Sequence, residues 1–418
     1  MFTQAELFAK ALLIEKPWFV DKIEFDQGKG RLDITIDFER GSMFLFEDKS
    51  LSINGYFKAY DTTEKTWRHL NFFQYECYLH ARIPRIDAGN GVIRQIKAPW
   101  EGLSNGFTLL FESFMLELVK LMPVHQVSGI LGAPDQKIWR TTKMYTDIAR
   151  MKADYSMVKE VGVDETAARR RHDYVSLFVD LEERKTIFIT KGRSNETVKG
   201  FCEDLEEHKG NPMQVEQVSC DMSPAFIKGI GENFPQAAIV FDRFHVIKVI
   251  NESVDKVRKE EVKTNPILRK SKYLFLSNKN NLNEMQKERL DDIRFSKLNK
   301  KTVKAYHIKE SFQQIYDTKT VDDFEKLLKK WYYWATHSKL GPIIQATKPI
   351  KRHWHGIINW IFKKLNNGIL EGFNSLFQVA KAKARGYRRL DTISTIIYLL
   401  TGKLDFSSIN PYCNTHSK

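Results

Sequence analysis

Three carboxylates in this chain have the surroundings that a metal-dependent reaction on a phosphodiester needs. Glu371 is the single acid in the run from Asn366 to Arg389, NNGILEGFNSLFQVAKAKARGYRR. The spacing predicts one amphipathic helix. Leu370, Phe373, Phe377, Ala380 and Ala384 form an apolar stripe that would dock on a core, and Asn367, Glu371, Asn374, Gln378 and Arg385 form a polar stripe that would face a ligand. An acid among carboxamides, followed by Lys381, Lys383, Arg385, Arg388 and Arg389, suits a metal-binding carboxylate beside a polyanion, because the ion neutralises the acid while the cations hold phosphates. A solvated surface helix can carry the same charges, so the helix alone leaves both readings open. The other two acids are Asp164, in the strand-like VGVDET, and Asp221, at the end of VEQVSCD. Phosphodiester hydrolysis, or attack of a 3′-hydroxyl on another phosphate, needs an activated nucleophile and a stabilised leaving oxygen, which two divalent ions about 3.5–4 Å apart supply together. Oxygen ligands without histidine or cysteine suit magnesium, with manganese as a substitute. In that scheme Asp164 bridges the ions, and Asp221 and Glu371 each hold one. Taken singly, Asp164 reads equally well as a strand-end cap, Asp221 as a turn residue and Glu371 as a surface charge.

The elements around these acids favour the joint reading. Short β runs occupy 161–166, 174–180 and 185–190, with LEER as a hairpin turn between the last two. Ser194 is an N-cap for a helix to about His208, closed by Gly210, and a fourth strand ends at Asp221. Ser223 and Pro224 open the next helix, and 237–241 (AAIVF) make a fifth strand. The order β-β-β-α-β-α-β, then helix, is that of an RNase H-like α/β fold, whose first strand lies centrally beside its fourth, so that Asp164 and Asp221 can meet. A helix after the fifth strand supplies the third acid in that topology. Glu371 is the candidate, although 150 residues separate it from Asp221. Residues 251–362 are helical in periodicity and rich in charge, as in LNEMQKERLDDIR, and read as an all-helical insertion. Such an insertion costs little, roughly 0.6 kcal/mol per doubling of loop length. Asp180 is a rival first acid, but at the hairpin end of the second strand it would point away from the fourth and cap a turn.

The rest of the 418 residues fits a polyanionic partner. Lys and Arg number 66 against 52 Asp and Glu, a formal charge of +14, which points to nucleic acid. No apolar run approaches the roughly 20 residues of a spanning helix. The opening MFTQAELFAKALLIEKPWF lacks the basic start and cleavage site of a signal peptide, so a cytoplasmic protein with no membrane partner is expected. The cysteines, Cys77, Cys202, Cys220 and Cys413, form no C-x-x-C pair. Residues 1–100 alternate as short strands, and 101–155 turn helical. In that stretch 124–147, broken at Gly132-Ala133-Pro134, has the spacing of a helix-turn-helix or of a plain helical hairpin. Lys137, Arg140, Lys143 and Arg150 on or after its second helix would serve DNA. Trp331, Tyr332, Tyr333, Trp334, Trp354 and Trp360 suit either the core of the insertion or stacking on an unpaired base. The expected organisation is 1–100 β module, 101–155 DNA-binding helices, 156–250 first part of the core, 251–362 insertion, 363–405 last core helices and 406–418 tail.

The runs VGVDETA, VSCDMSPAFIKGI, FPQAAIVFDRFHVIK and NNGILEGFNSLFQVAKAKARGYRR strongly resemble DDE transposases of the ISL3 type of bacterial insertion sequence, in register over roughly residues 66–400. The resemblance implies Asp164, Asp221 and Glu371 as the three catalytic, metal-holding acids. It also implies double-stranded DNA, both terminal inverted repeats and target, as the partner, bound by a homodimer or larger assembly. Asp242 and His245, in FDRFH, resemble a D-x-x-H element of transposases with helical insertions and are auxiliary, as is Asn374 in the N-G-x-x-E-G-x-N run. A transposase-derived regulator without catalysis and an RNase H-like nuclease or resolvase are the alternatives. WRHLNFFQYECYLHARIPRI, with IKAPW and FTLLFE, resembles the family's amino-terminal zinc-finger module, and VSGILGAPDQKIW its helix-turn-helix. The module's two close cysteine pairs are absent: RIDAGNGV stands where one would be. No structural zinc is therefore expected, and elemental analysis of the purified protein should find less than one zinc per chain. One tightly held zinc would mean that His69, His80 or acidic residues replace the thiols.

Overall fold

The computed structural model describes residues 3–48, 53–89, 91, 93–169, 173–277, 281–295, 300–363, 368–383 and 389–414. The chain divides into two compact units, Met1–Ala153 with Ala382–Leu400 and Leu404–Lys418, and Asp154–Lys381 with Thr401–Lys403.

The first unit starts with α1 (Gln4–Ala11), opened by a Thr3–Glu6 capping box. Seven strands follow: β1 (Trp18–Asp26), β2 (Arg31–Phe38), β3 (Met43–Asp48), β4 (Ile53–Lys58), β5 (Asp61–Arg68), β6 (Glu76–Asp87) and β7 (Ile93–Gln95). β3 and β4 pair with each other, and the rest form a sheet of order β1-β2-β6-β5 with β7 on β6. Period-2 alternation decides what is buried: Leu32, Ile34 and Ile36 from β2 and Leu79, Ala81 and Ile83 from β6 share one core. Trp100 closes that core edge-on against Trp18 and Trp67, with ring centroids 5.2 and 5.8 Å apart. The groups that could have replaced thiols at a metal are engaged with the protein. Burial pushes the Cys77 thiol up to about 12 and holds His69 down to about 4, with its Nδ1 2.9 Å from the Thr108 hydroxyl. His80 sits between Asp33, at 2.5 Å, and Thr66, at 2.9 Å, a polar tie across β2, β6 and β5.

Three helices complete this stretch, α2 (Leu109–Leu121), α3 (Val124–Leu131) and α4 (Asp135–Met151). α4 is longer than the spacing over 124–147 indicated. Glu112 of α2 is fully buried. It accepts from the backbone N–H groups of Leu103 and Ser104, both at 2.8 Å, and from the hydroxyls of Ser104 (2.7 Å) and Tyr145 (2.8 Å). A buried carboxylate with this many donors is satisfied, and it ties the loop before α2 to α4.

The second unit is built on β8 (Glu160–Arg169), β9 (Asp173–Asp180), β10 (Lys185–Lys191), α5 (Asn195–Glu207), β11 (Gln217–Cys220), α6 (Pro224–Asn233) and β12 (Ala238–Phe241). The sheet order is β10-β9-β8-β11-β12. β10–β9 and β9–β8 are antiparallel, while β8–β11 and β11–β12 are parallel. Helices then run through α7 (Arg243–Val262), α8 (Lys272–Leu276), α9 (Glu284–Phe295), α10 (Lys300–Ile315), α11 (Val321–Thr336), α12 (Gly341–Arg352), α13 (Trp354–Lys363) and α14 (Gly368–Lys383), with no strand among the described residues. α7 passes unbroken through residue 250, so the boundary between 156–250 and 251–362 falls inside a helix. Trp331 is core: its Nε1 donates to the Ile308 carbonyl at 2.8 Å and its ring lies 4.6 Å from Phe312. Trp360 is likewise buried, 4.8 Å from Tyr316, whereas Tyr333 and Trp334 are exposed.

α15 (Leu390–Thr401) belongs with the first unit as far as Leu400. There Arg150 lies over the Tyr398 ring, 4.9 Å from its centre. The segment 363–405, expected to close the core, is thus divided between the two units. Of the helix expected over 366–389, α14 covers Gly368–Lys383, residues 366, 367 and 384–388 lie outside the described residues, and a further helix begins at Leu390.

α13 reaches the sheet through Gly356, where an added Cβ would come within 2.3 Å of the Phe241 ring, and through Asn359, whose Nδ2 donates to the Ile239 carbonyl at 2.9 Å. Gly356→Ala should therefore lower the unfolding free energy by about 1–3 kcal/mol, as overpacking of a close contact does. Urea denaturation of the full chain checks this.

Candidate active site

A shared register brings the acids of the second unit together. β11 pairs Ser219 with Gly162 on β8 and Cys220 with Phe241 on β12. Carried one or two residues further, it sets Asp164, Asp221 and Asp242 in one row across three adjacent parallel strands about 4.8 Å apart, Asp164 midway along β8 and Asp221 and Asp242 just past the carboxyl ends of β11 and β12. The Asp242 N–H donates to the Cys220 carbonyl at 3.1 Å and so holds the row beyond the last paired residue. The carboxyl ends of parallel strands are where open α/β sheets bind ligands.

Each acid is anchored by backbone. Asp164 Oδ1 accepts from the N–H of Glu165 at 2.8 Å. Asp221 Oδ1 accepts from the Ser223 N–H at 2.9 Å, a turn that starts α6. Asp242 Oδ1 accepts from the Phe244 N–H at 2.7 Å and caps α7. Burial pushes the Asp164 carboxyl above its ordinary range; the Glu165 N–H and His245 oppose this, and Asp242 adds to it. His245, one turn into α7, has Nδ1 3.3 Å from Asp242 Oδ2. That carboxylate raises the imidazole above 6.5 against the opposing effect of burial, with Asp164 and Asp221 adding smaller contributions. Asp221 and His245 open on a cleft of about 590 Å³, also lined by Glu165, Arg193, Ser223 and Lys248.

α14 lies along β8. An added Cβ on Gly162 would come within 2.8 Å of Leu370, so the helix approaches the strand where side-chain bulk is missing. One turn on, Asn374 Nδ2 donates to Asp164 Oδ2, and a further turn on Gln378 Nε2 donates to Thr166 Oγ1 at 2.7 Å. Leu370, Phe377 and Ala380 are buried and Phe373 is half-buried, as the apolar stripe required. Asn374 Oδ1 is buried with no hydrogen-bond partner among the described residues. Glu371 stands on α14, but its side chain lies outside the described residues. Among the described residues no three His, Cys, Asp or Glu side chains gather closely enough to hold a metal ion.

Asp180 lies apart from the row. It is paired with Val161, and its Oδ1 accepts from the Glu182 and Glu183 N–H groups at 3.1 Å, capping the hairpin turn. Lys137, expected on a DNA face, is half-buried with its ammonium 3.7 Å from the Phe107 ring centre, whereas Arg140 and Lys143 are exposed. Of the basic run after Glu371, Lys381 is half-buried and Arg389 is exposed, 2.9 Å from Asp391. The Lys383 side chain, Arg385 and Arg388 lie outside the described residues. Sequence reasoning missed Arg193 and Lys248. Arg193 stacks over Tyr174 at 4.3 Å and pairs with Glu165 at 3.4 Å. Lys248 carried a signal, its i+3 spacing from His245 on one helix; Arg193, in a loop, carried none.

A family model described as transposase, of the DDE ISL3 type, matches residues 161–397, more than half of the chain. The chain is 28% identical over 345 residues to the transposase for insertion sequence element IS1001 of Bordetella parapertussis, covering 79% of this chain and 83% of that protein. It is 22% identical over 357 residues to the transposase for insertion sequence element IS1557 of Mycobacterium tuberculosis (strain CDC 1551 / Oshkosh), covering 78% of each.

The Asp242–His245 pair gives a pH-dependent expectation. Because the folded imidazole is raised, the pair's stabilisation is fully present below the ordinary 6.5 and is lost as pH rises through the folded value. Asp242→Asn keeps a capping oxygen but removes the charge. It should bring the His245 titration down, read by NMR of the ring protons. Its deficit in thermal stability should be largest below 6.5 and shrink above the folded value.

Proposed function

The chain belongs to the DDE transposases of the ISL3 type of insertion sequence, and from that membership we propose that it binds the terminal inverted repeats of its own element, cuts the DNA there and joins the 3′-ends to a target. The second unit is read as an RNase H-like core with a helical insertion; the sheet order β10-β9-β8-β11-β12, third-second-first-fourth-fifth in chain order, supports this. The first unit carries the β module and, in α3 and α4, the helix-turn-helix. Members of the family depend on divalent metal. Magnesium, or manganese in its place, suits the oxygen donors here and would supply an activated nucleophile and a stabilised leaving oxygen.

The observation that carries the proposal is the common row of Asp164 and Asp221, with α14 laid along the same strand. Asp164, Asp221 and Glu371 would hold the metal. The site fits that role: Asp164 is an acid whose burial disfavours its own charge, which a nearby cation would relieve, and the Asn374 carboxamide has one buried oxygen without a donor among the described residues. Asn374 orients Asp164. The His245 imidazole, set by Asp242, faces the cleft where it would hold a phosphate, with Arg193 and Lys248 beside it. Arg140 and Lys143 face DNA from α4. Lys137 serves that surface only through the packing of its stem and ammonium on Phe107. Lys381, Lys383, Arg385, Arg388 and Arg389 grip the backbone flanking the cut. The working assembly on DNA is a homodimer or larger.

Replacing Asp164, Asp221 or Glu371 by Ala should each reduce cleavage of end DNA by on the order of a thousandfold or more, as losing one member of a jointly acting set does. Binding to end DNA should remain, because affinity rests on phosphate and groove contacts. Cleavage assays beside mobility shifts decide this, and loss of binding in all three variants would refute the assignment.

A further inference from the structure

The three contacts of α14 on β8 fall at matched intervals. Leu370, Asn374 and Gln378 are four residues apart on the helix; Gly162, Asp164 and Thr166 are two apart on the strand. Four helical residues rise about 6.0 Å, and two strand residues rise about 6.6 Å. The helix can therefore meet every second strand residue for two full turns without drifting out of step. Only side chains of one face of β8 are used, since alternate residues point the same way. Sliding the helix by one residue would turn it by about 100° and break both hydrogen bonds at once.

From this we infer that Gln378 on Thr166, together with Asn374 on Asp164, forms a register clamp that sets the height and rotation of α14 against β8, and with them the position of residue 371, one turn before Asn374. Position 371 follows Leu370 by one residue and precedes Asn374 by three, so the register that fixes those two fixes it as well. Gln378 and Thr166 are positioning residues and take no part in the chemistry. The inference rests on the reading of Glu371 as a catalytic acid. Apolar packing alone would leave the register loose, because Phe377 and Ala380 are buried beside an exposed Leu376 and Val379 on the same helix, so apolar side chains stand on both sides of its contact face.

Gln378 is itself largely exposed and Thr166 is isosteric with Val, so the clamp can be removed with little loss of packing. The test uses the full chain with Gln378→Leu, Thr166→Val, the double variant, Thr166→Ser and Glu371→Ala. Manganese binding is measured by calorimetry without DNA, melting in EDTA, and single-turnover cleavage of end DNA. Gln378→Leu and Thr166→Val should each weaken manganese binding and slow cleavage about tenfold to a hundredfold, the scale of a displacement near 1 Å. Melting in EDTA should be unchanged, the double variant should be no worse than either single, and Thr166→Ser should match the wild type. Losses that multiply in the double variant, or that follow the melting temperature in EDTA, overturn the clamp. If Glu371→Ala loses metal and cleavage while Gln378→Leu and Thr166→Val do not, the clamp alone fails. If Glu371→Ala keeps both, the assignment of Glu371 fails instead.

Discussion

Neighbouring parallel strands advance in step, and in the second unit this shared advance holds the acids level. Asp164 and Asp221 are 57 residues apart in the chain, a distance taken up by β9, β10 and α5, yet β8 and β11 run side by side with Val218 on Val161 and Ser219 on Gly162. A slip of one residue would turn every side chain of β11 to the other face and take Asp221 out of the row. Antiparallel pairing does the opposite for Asp180, which lies level with Val161 and caps a turn. Crowding acids has a cost that the surroundings must offset: backbone N–H groups hold one oxygen of each, Asn374 donates to Asp164, and His245 lies 3.3 Å from Asp242.

The long helical stretch from α7 to α13 is compatible with this arrangement because its two ends meet the sheet. α7 starts directly from β12 with Asp242 as its cap, and α13 returns to the same strand at Gly356 and Asn359. These helices share an aromatic core around Trp331, Phe312, Tyr316 and Trp360. After that return α14 needs only to cross to β8, where Gly162 leaves it room.

In the amino-terminal sheet a hydrophobic core of alternating residues is closed by three tryptophans, and His80 ties Asp33 to Thr66 across neighbouring strands. The burial that supports this core keeps the Cys77 thiol protonated, which disfavours metal ligation.

Local pattern alone carried much of this protein. Period-2 alternation marked β2 at residues 31–38, caps marked α5 at Ser194 and α6 at Ser223-Pro224, and the succession of strands and helices from β8 to β12 was legible in the order of runs. The apolar stripe of α14 was equally legible, because a residue's own helix or strand decides which face it occupies. What a face meets is decided elsewhere in the chain. Lys137 lies on Phe107, Gln378 finds Thr166, Arg193 joins Glu165 at the cleft, and α15 packs with the first unit. None of these has a sequence period, since each pairs residues whose separation is set by intervening folds. The row of acids lies between the two cases: the sequence supplied its members, and only the parallel register of β8, β11 and β12 brought them to one level.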